Sequence, residues 1–512
     1  AFFPPINYIC ANFLISYNMK RIFKAFFTVT SIAVITRGIS FVFKIFISRE
    51  LGAEVMGLYQ ICFSVFSLFA AIAVSGIPVT VSRITAETQA LGDVKSQRSA
   101  VTAALLISLM ISMTVCTVFY SFPSLASLFF TDERCSRLFL ILLPTMLTSS
   151  IYAVIRSHFW GRQNFFVYSM AEAADEIIKV VACTLFIFLL QNVISLEYSL
   201  AYAMLVSDCI VAVLLIIVFF KSGGRLACPT MGRQVVKSSA PLTVTRLCGS
   251  LMGMFVSLVL PAVLVSAWGL SSAEATAEYG RASGMVMPLL LAPSSVVGSL
   301  SVVMIPEIAA RNAGGGRNLT SAIDRSTDFT CAVACAVFIA FAACGREIGS
   351  LLYADEKVGE QLSFAAFIVL PLSLNSITST SLNSLGKENR TFISSVIGYV
   401  FLVAGISVLP RYMGIYGYYT SFFVFHCVTL ACNYFQLNRI LPRRKSYSGA
   451  ALIAVSCAIA LVTGVISSFT RELGNVISCL ICLPVAAALY FIALRITGYM
   501  PKPSGLIGYI RK

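Results

Sequence analysis

Two arginines inside long apolar stretches carry the clearest chemistry in the sequence. Arg37 and Arg246 each follow a threonine and precede small and then apolar residues. A guanidinium group holds a phosphate through two parallel hydrogen bonds. Both arginines are therefore predicted to bind an anionic, phosphate-bearing substrate. The alternative is that they connect neighbouring helices or extend their charged ends to a polar interface.

A second group of charged residues lies in two further apolar stretches. Glu172, Glu176 and Lys179 are spaced so that they share one face of a helix, with Asp175 alongside. This pattern predicts a polar wall of a transport cavity that binds substrate, or a proton or cation site at Asp175 and Glu176. The alternative is a structural ion pair between Glu176 and Lys179. Asp208 is either a coupling-ion site or a contact between helices.

The composition indicates which elements position these side chains. Hydrophobic residues make up 58% of the 512 residues and charged residues 12%, whereas a soluble domain carries about 25% charged residues. Ser99–Phe122 and Tyr447–Thr470 contain no charge and are long enough to cross a hydrocarbon core of ~30 Å as helices. The sequence predicts an all-α polytopic membrane protein with about fourteen transmembrane helices. The spans that hold the candidate residues are 24–48, 165–190, 197–220 and 240–267, and further spans are predicted at 57–81 and 282–305.

The distribution of basic residues predicts the orientation. With the N-terminus in the cytoplasm, the cytoplasmic segments hold roughly three times as many lysines and arginines as the other side, as the positive-inside rule requires. Both termini are therefore expected to be cytoplasmic in a bacterial cell membrane, and the net charge of +15 implies no nucleic acid partner. Residues 1–18 precede Met19-Lys20-Arg21, which looks like a bacterial start, and are interpreted as a non-native upstream extension.

Weak internal sequence repeats divide the chain into two halves. Three pairs of segments recur in the same order, namely Thr36-Arg37 and Thr245-Arg246, Ile77-Pro78 and Ile305-Pro306, and Trp160–Asn164 and Leu385–Asn389. The members of each pair are an even number of spans apart, so the halves share one topology and a pseudo-twofold axis along the membrane normal. We predict an N-lobe at 19–220, a cytoplasmic linker at 221–239, a C-lobe at 240–438, and two extra helices with a basic tail at 439–512. Arg37 and Arg246 would then face a cleft between the lobes.

The sequence shows no signature of catalysis or of metal binding. It lacks the G-x-x-x-x-G-K-[ST] motif of ATP-driven pumps and the G-x-S-x-G motif of serine hydrolases. The histidines, His158 and His426, are far apart in sequence, and Cys479 and Cys482 lie in an apolar run where cysteine acts as a small hydrophobe. We expect no enzyme, no catalytic residue, no metal and no cofactor, with transport coupled to protons, sodium ions or the membrane potential.

Several motifs along the chain resemble those of a known protein family. The motifs are Ile35–Gly38, Ser48–Glu54, Gly57–Gln60, Ser75–Val79, the acidic pattern from Ala171 to Lys179, and Leu382–Lys387, in which Ser384 stands where glycine is usual. They resemble, over residues 20–495, the stage V sporulation protein B-like polysaccharide flippases of the multidrug/oligosaccharidyl-lipid/polysaccharide (MOP, MATE-like) exporter superfamily. The opening is also similar to that of lipid II flippases, whose span 1 cavity arginine maps onto Arg37. A second cavity arginine of that family falls at Phe43, and the resemblance implies Lys44 as its substitute.

The resemblance implies two six-helix lobes around a cavity that opens alternately to either side, followed by two extra helices. It implies flipping of an undecaprenyl-linked, pyrophosphate-bearing glycan or peptidoglycan precursor for envelope or spore cortex synthesis. The expected partners are this lipid-linked sugar and membrane lipids, with the protein monomeric and in contact with wall-synthesis enzymes. Two alternatives remain: a cation-coupled multidrug exporter of the MATE type, which the acidic residues of the span 165–190 favour, and a non-transport scaffold of a wall-synthesis complex.

Overall fold

The computed structural model describes the backbone of residues 6–190, 193–292, 319–441 and 447–499, and nearly all side chains from residue 31 onward within these ranges. All regular secondary structure in these ranges is helical. Backbone groups in lipid have no water to bond to, so each apolar segment satisfies its own N–H and C=O groups. The predicted all-α membrane class is confirmed, while Ile305-Pro306 and most of the basic tail lie outside the described residues.

The helices follow one another with short connections. Their bounds are α1 Ile6–Val74, α2 Ile77–Ala90, α3 Val94–Ser121, α4 Glu133–Leu142, α5 Thr145–Gly161, α6 Phe165–Leu190, α7 Leu196–Lys221, α8 Gly232–Trp268, α9 Ser272–Tyr279, α10 Leu319–Tyr353, α11 Glu356–Ala365, α12 Val369–Ser384, α13 Glu388–Met413, α14 Tyr416–Ile440, α15 Tyr447–Thr470 and α16 Asn475–Ile496. A π-helical segment, Gly280–Val286, continues α9.

Nine helical stretches of the described ranges are long and apolar enough to cross a membrane, or ten if α4 and α5, which meet at 42°, form one span. One of the nine, Val34–Ala90, includes the predicted span 57–81 and part of the predicted span 24–48. Helix α6 carries several ionisable residues and is not among the nine. The predicted span at 282–305 continues beyond the described residues. The number fourteen is consistent with these helices and stays a prediction.

A break at Gly52 divides α1. This residue has φ 76° and ψ 171°, a backbone conformation that glycine adopts freely and that residues with a Cβ atom avoid. The break falls between the predicted spans 24–48 and 57–81. The first predicted span therefore lies in the segment of α1 before Gly52, and the second runs from the segment after Gly52 into the start of α2.

The chain forms two compact units. Unit 1 comprises Ala1–Phe46 and Ile61–Met254, and unit 2 comprises Ile47–Gln60 and Phe255–Lys512. Their boundary falls inside α8, beyond the predicted linker at 221–239. Arg246 consequently lies in the same unit as Arg37. The four predicted domain segments stay a prediction.

In unit 2, the α1 segment after Gly52 makes close backbone contacts with the segment that contains α9. A Cβ atom on Gly280 would overlap the carbonyl oxygen of Ala53, and one on Gly57 would overlap the carbonyl oxygen of Thr276. Small residues let helix backbones approach this closely in a membrane protein. Glycine is therefore required at both positions by the packing.

Gly280→Ala is expected to destabilise unit 2 by about 1–3 kcal/mol, because the added methyl group forces the two backbones apart. Thermal unfolding of the purified protein in detergent measures this effect. The matched control is Gly464→Ala in α15, where a Cβ atom meets no other group within 4 Å. Its unfolding temperature should stay unchanged or rise, because alanine has the higher helix propensity. Equal unfolding temperatures for the two variants would contradict the packing argument.

Unit 2 also contains a carboxylate that the sequence analysis did not single out. The side chain of Glu347 in α10 is fully buried, and its Oε1 accepts hydrogen bonds from Ser467 Oγ at 2.8 Å and from Arg471 Nε at 3.1 Å. Its Oε2 is buried without a hydrogen-bond partner among the described residues. The ion pair connects α10 to the end of α15, where Arg471 is 38% exposed.

Candidate substrate site

A cavity of 670 Å³ lies within unit 1. Its walls come from the C-terminal part of α1, the start of α2, the middle of α5 and the middle of α8. The residues that line it are Phe63, Phe66, Ser67, Ala70, Ala71, Val74, Ser75, Pro78, Ala153, Arg246, Gly249, Ser250 and Gly253. Its volume falls within the ~300–1,000 Å³ that small-molecule sites have. Arg246 supplies the charge of an otherwise neutral and mostly apolar lining.

One wall of the cavity forms where α1 ends and α2 begins. Pro78 lies in the first turn of α2, where its missing N–H group breaks no helical hydrogen bond. The preceding Gly76 donates its N–H to Thr243 Oγ1 of α8 at 3.2 Å, and a Cβ atom there would overlap the carbonyl oxygen of Ser239. The Ser75-Gly76-Ile77-Pro78 sequence thus brings the junction of α1 and α2 directly against α8.

The facing wall is a single stripe of α8. It consists of Arg246 and of the residues three, four and seven positions after it, which are Gly249, Ser250 and Gly253. This spacing places all four on one side of the helix. The Arg246 side chain is exposed and has no acidic partner among the residues that the structure describes. The small residues beside it leave the cavity open. The guanidinium group is therefore available to bind an anion.

Arg37 and Lys44 lie on the other segment of α1. Arg37 is exposed and Lys44 is half-buried, and neither forms an ion pair within the described part of the chain. Their separation of seven residues places them on the same side of α1. Neither residue belongs to the lining of the cavity that contains Arg246. Their predicted roles in substrate binding stay predictions.

The predicted acidic cluster lies on α6, and its first member, Glu172, pairs with α5. Arg156 Nη2 of α5 donates to Glu172 Oε2 at 2.6 Å. The same guanidinium group lies 4.0 Å from the centre of the Tyr168 ring and donates from Nε to the Tyr168 carbonyl oxygen at 3.3 Å. Glu172 is thus neutralised by a neighbouring helix.

Lys179 pairs with Asp175 and not with Glu176. Its Nζ lies 3.5 Å from Asp175 Oδ2, so the specific pair Glu176–Lys179, which the sequence offered as a structural reading, is wrong. Around a helix, side chains four residues apart differ less in direction than side chains three residues apart. The ammonium group of Lys179 therefore lies closer to Asp175 than to Glu176. Lys179 also interacts electrostatically with Asp208 of α7 and with Glu176. Neither Asp208 nor Glu176 makes a direct ion pair in the described ranges.

Sequence reasoning missed two features of this region. Arg156 was not among the predicted site residues, although it lies within α5 and pairs with Glu172 of α6. Arg156 lies five residues before the end of α5 and Glu172 seven residues after the start of α6, and these similar distances from the α5–α6 turn are the signal that would have paired them. The apolar residues of the cavity carry no such signal, because alanine and phenylalanine are common in every span. No group of three or more side chains suited to a metal ion occurs among the described residues.

Fold and cavity together define a polytopic α-helical membrane protein of the transporter fold found in the MOP superfamily. Over 92% of this chain and 98% of the other, the structure is similar to an inward closed conformation of the lipid II flippase MurJ, with a TM-score of 0.74 and 12% identity. It is also similar to an inward-facing multidrug resistance MATE family transporter of the MOP superfamily, with a TM-score of 0.67 and 15% identity over 78% of this chain and 93% of the other. These similarities confirm the predicted two-lobe fold class.

The sequence itself identifies the family. Residues 22–312 match the model of the polysaccharide biosynthesis protein family, and the chain belongs to that family. A curated relative is stage V sporulation protein B of Bacillus subtilis (strain 168), which is 30% identical over 292 residues. The match covers 54% of this chain and 56% of the relative, so it spans little more than half of that protein's length. The resemblance inferred from the motifs is confirmed.

Proposed function

We propose that this protein is a flippase that moves an undecaprenyl-linked, pyrophosphate-bearing glycan or peptidoglycan precursor across the bacterial cytoplasmic membrane by alternating access. The observation that carries the proposal is the cavity of unit 1, which holds Arg246 without an acidic partner among the described residues. The lipid carrier of such a substrate is anionic at its phosphates. A cavity with an available guanidinium group suits this chemistry.

Physical chemistry explains why such a cavity serves transport. A charged group at the centre of a bilayer is unfavourable by at least about 2.5–3.5 kcal/mol on insertion scales, and a pyrophosphate carries more than one charge. A cation in the wall of the cavity offsets part of this penalty, because the attraction between opposite charges is stronger where the surroundings are less polar than water. Arg246 is therefore proposed to hold the phosphate while the protein changes which side of the membrane it opens to.

Two of the three acidic residues at the centre of α6 already pair with basic side chains, which favours an anionic substrate over a cationic drug. Glu172 pairs with Arg156 and Asp175 pairs with Lys179. A carboxylate that already pairs with a basic side chain has lost most of its attraction for an organic cation. The available charge of the cavity in unit 1 is positive, and this sign favours the flippase over the multidrug exporter.

The remaining parts of the proposal concern the setting of transport. Both termini are proposed to be cytoplasmic, and the two lobes to rock about the substrate. The proposed coupling is to protons, sodium ions or the membrane potential, with Asp175, Glu176 and Asp208 as candidate sites. We further propose a monomer that contacts wall-synthesis enzymes during envelope or spore cortex synthesis.

Reconstitution of the protein into vesicles tests the proposed function. A fluorescent undecaprenyl-pyrophosphate sugar is placed in both leaflets, and flipping is followed by quenching of the exposed label under an imposed membrane potential. The expected result is flipping in vesicles with the protein and none in empty vesicles. Correctly folded protein that leaves this lipid unmoved and instead exports a cationic dye would replace the proposal with multidrug export. Movement of neither compound would favour the scaffold.

A further inference from the structure

We propose that Cys344 of α10 and Cys479 of α16 form a reversible disulfide in unit 2, with a low-molecular-weight disulfide as the oxidant and Glu347 as the proton acceptor. The bond ties the last described helix to α10, and it does not depend on the transported substrate. From the sequence alone, Cys479 and Cys482 are interpreted as small apolar residues. The fold adds a third thiol, Cys344, which lies far from them in the sequence.

The three thiols meet where α10 packs against α16. Cys344 and Cys482 are fully buried in one cluster of side chains, and the half-buried Cys479 packs against this cluster. The thiol of Cys344 interacts with those of both Cys482 and Cys479. All three are free thiols in this structure. The packing of two helices therefore brings together sulfur atoms that can form a bond between them.

A second pair of interacting cysteines, Cys331 and Cys335, differs in its geometry. Both lie on α10, four residues apart, and both are buried. Side chains at this spacing on a helix have Cβ atoms about 5–6 Å apart, whereas a disulfide requires about 3.5–4.5 Å. This pair is therefore expected to stay reduced, and it provides a control on the same helix.

The position of Cys479 gives an oxidant a route to the cluster. This cysteine lies one turn after the start of α16, close to the exposed residues 472–474 that connect α15 to α16. Polar groups surround this end of the helices, since Thr470 Oγ1 lies 2.9 Å from Ser478 Oγ and 3.5 Å from Cys482 Sγ. In the proposed orientation this connection lies outside the cytoplasm, where disulfides persist. Cys479 is thus the first thiol that an oxidant meets.

The buried carboxylate of Glu347 supplies a proton acceptor next to these thiols. It interacts electrostatically with both Cys344 and Cys479. Its Oε1 accepts hydrogen bonds from Ser467 and Arg471, whereas its Oε2 is buried without a hydrogen-bond partner in the described ranges. The thiolate, not the thiol, is the attacking species in thiol–disulfide exchange. The free Oε2 is therefore available to accept the proton that a thiol must lose.

The exchange proceeds in two balanced steps. The thiolate of Cys479 attacks one sulfur of the small disulfide, which forms a mixed disulfide and releases the other half as a thiol after it takes up the proton. The thiolate of Cys344 then attacks the Cys479 sulfur and displaces the second half, also as a thiol. Two protein thiols are oxidised to one disulfide, and the two electrons and two protons leave with the two small thiols.

Treatment of the purified protein in detergent with oxidised glutathione tests the proposal. The protein is then unfolded with an alkylating agent, digested and analysed by mass spectrometry. We expect a link between the peptides that contain Cys344 and Cys479, which a small dithiol reverses. Cys344→Ser and Cys479→Ser should each abolish the link, whereas Cys482→Ser and the matched control Cys335→Ser should retain it. The oxidised wild type should unfold at least about 3 °C above the reduced protein, because a crosslink restricts the unfolded chain.

The rate of oxidation tests the role of Glu347. Glu347→Gln should slow formation of the link at least about tenfold, because an amide cannot accept the proton, and an unchanged rate would remove Glu347 from the proposal. Three results would overturn the disulfide itself: no link in folded wild-type protein under excess oxidant, a link that survives Cys344→Ser, or a bond between Cys479 and Cys482. Thermal unfolding of each reduced variant establishes that it is folded before oxidation.

Discussion

Arg246→Ala is expected to lower the flipping rate of a lipid-linked glycan by about ten- to one hundred-fold, since a hydrogen bond to a charged group contributes about 1.5–3 kcal/mol and each 1.4 kcal/mol is tenfold. The reason is that Arg246 supplies the charge of the cavity lining and has no acidic partner in the described residues that would neutralise it. Alanine leaves a substrate phosphate in an almost entirely apolar space. The vesicle assay measures this rate directly.

Three comparisons make the Arg246 result specific. Arg246→Lys should fall between wild type and alanine, because an ammonium group keeps the charge and loses the two parallel hydrogen bonds. The matched control is Arg233→Ala, an exposed arginine on the same helix that lies outside the cavity, and it should flip at the wild-type rate. If Arg37 and Lys44 also contact substrate, their alanine variants will lower the rate in the same direction. Wild-type flipping by folded Arg246→Ala would remove the cavity from the mechanism.

Arg471→Ala is expected to destabilise the protein by about 3 kcal/mol, because it leaves the buried carboxylate of Glu347 without its counter-charge. Glu347 is fully buried, and its Oε1 accepts hydrogen bonds from Arg471 and Ser467. Breaking a buried ion pair from one side removes the attraction and keeps the desolvation penalty. The effect should lie at the low end of its range, because Arg471 is 38% exposed and water partly replaces it. Denaturation of the purified protein in detergent measures the loss.

An exposed ion pair of the same residue types provides the control for Arg471. Arg137 and Glu133 lie 2.7 Å apart in unit 1 with side chains that are 64% and 78% exposed. Arg137→Ala should change stability by less than about 1 kcal/mol, as exposed pairs do. Glu347→Gln should be milder than Arg471→Ala, because a neutral amide can be buried without a counter-charge. Equal effects of Arg471→Ala and Arg137→Ala would contradict this account of the buried carboxylate.

The sequence alone determined the class of protein and the positions of several of its long apolar helices. An apolar run long enough for the bilayer has one stable solution, a helix, because lipid offers no partner to the backbone. For this reason the predicted spans at 165–190 and 197–220 coincide closely with α6 and α7. Arginines and acids inside such runs were also evident, since charge in an apolar stretch requires a partner or a polar cavity. The motifs then identified the family correctly.

Only the tertiary structure decided which of these charges meet. Arg156 and Glu172 are sixteen residues apart and pair because α5 and α6 run antiparallel. Lys179 pairs with Asp175 and not with Glu176. This choice depends on the directions of the side chains, which the spacing of the residues in the sequence did not decide. Arg246 lines a cavity with Phe63, Pro78 and Ala153, which come from three other helices. Helix formation depends on local backbone hydrogen bonds, so the sequence of each segment predicts it. A cavity depends on how distant segments pack, and the sequence of a single segment does not predict that packing.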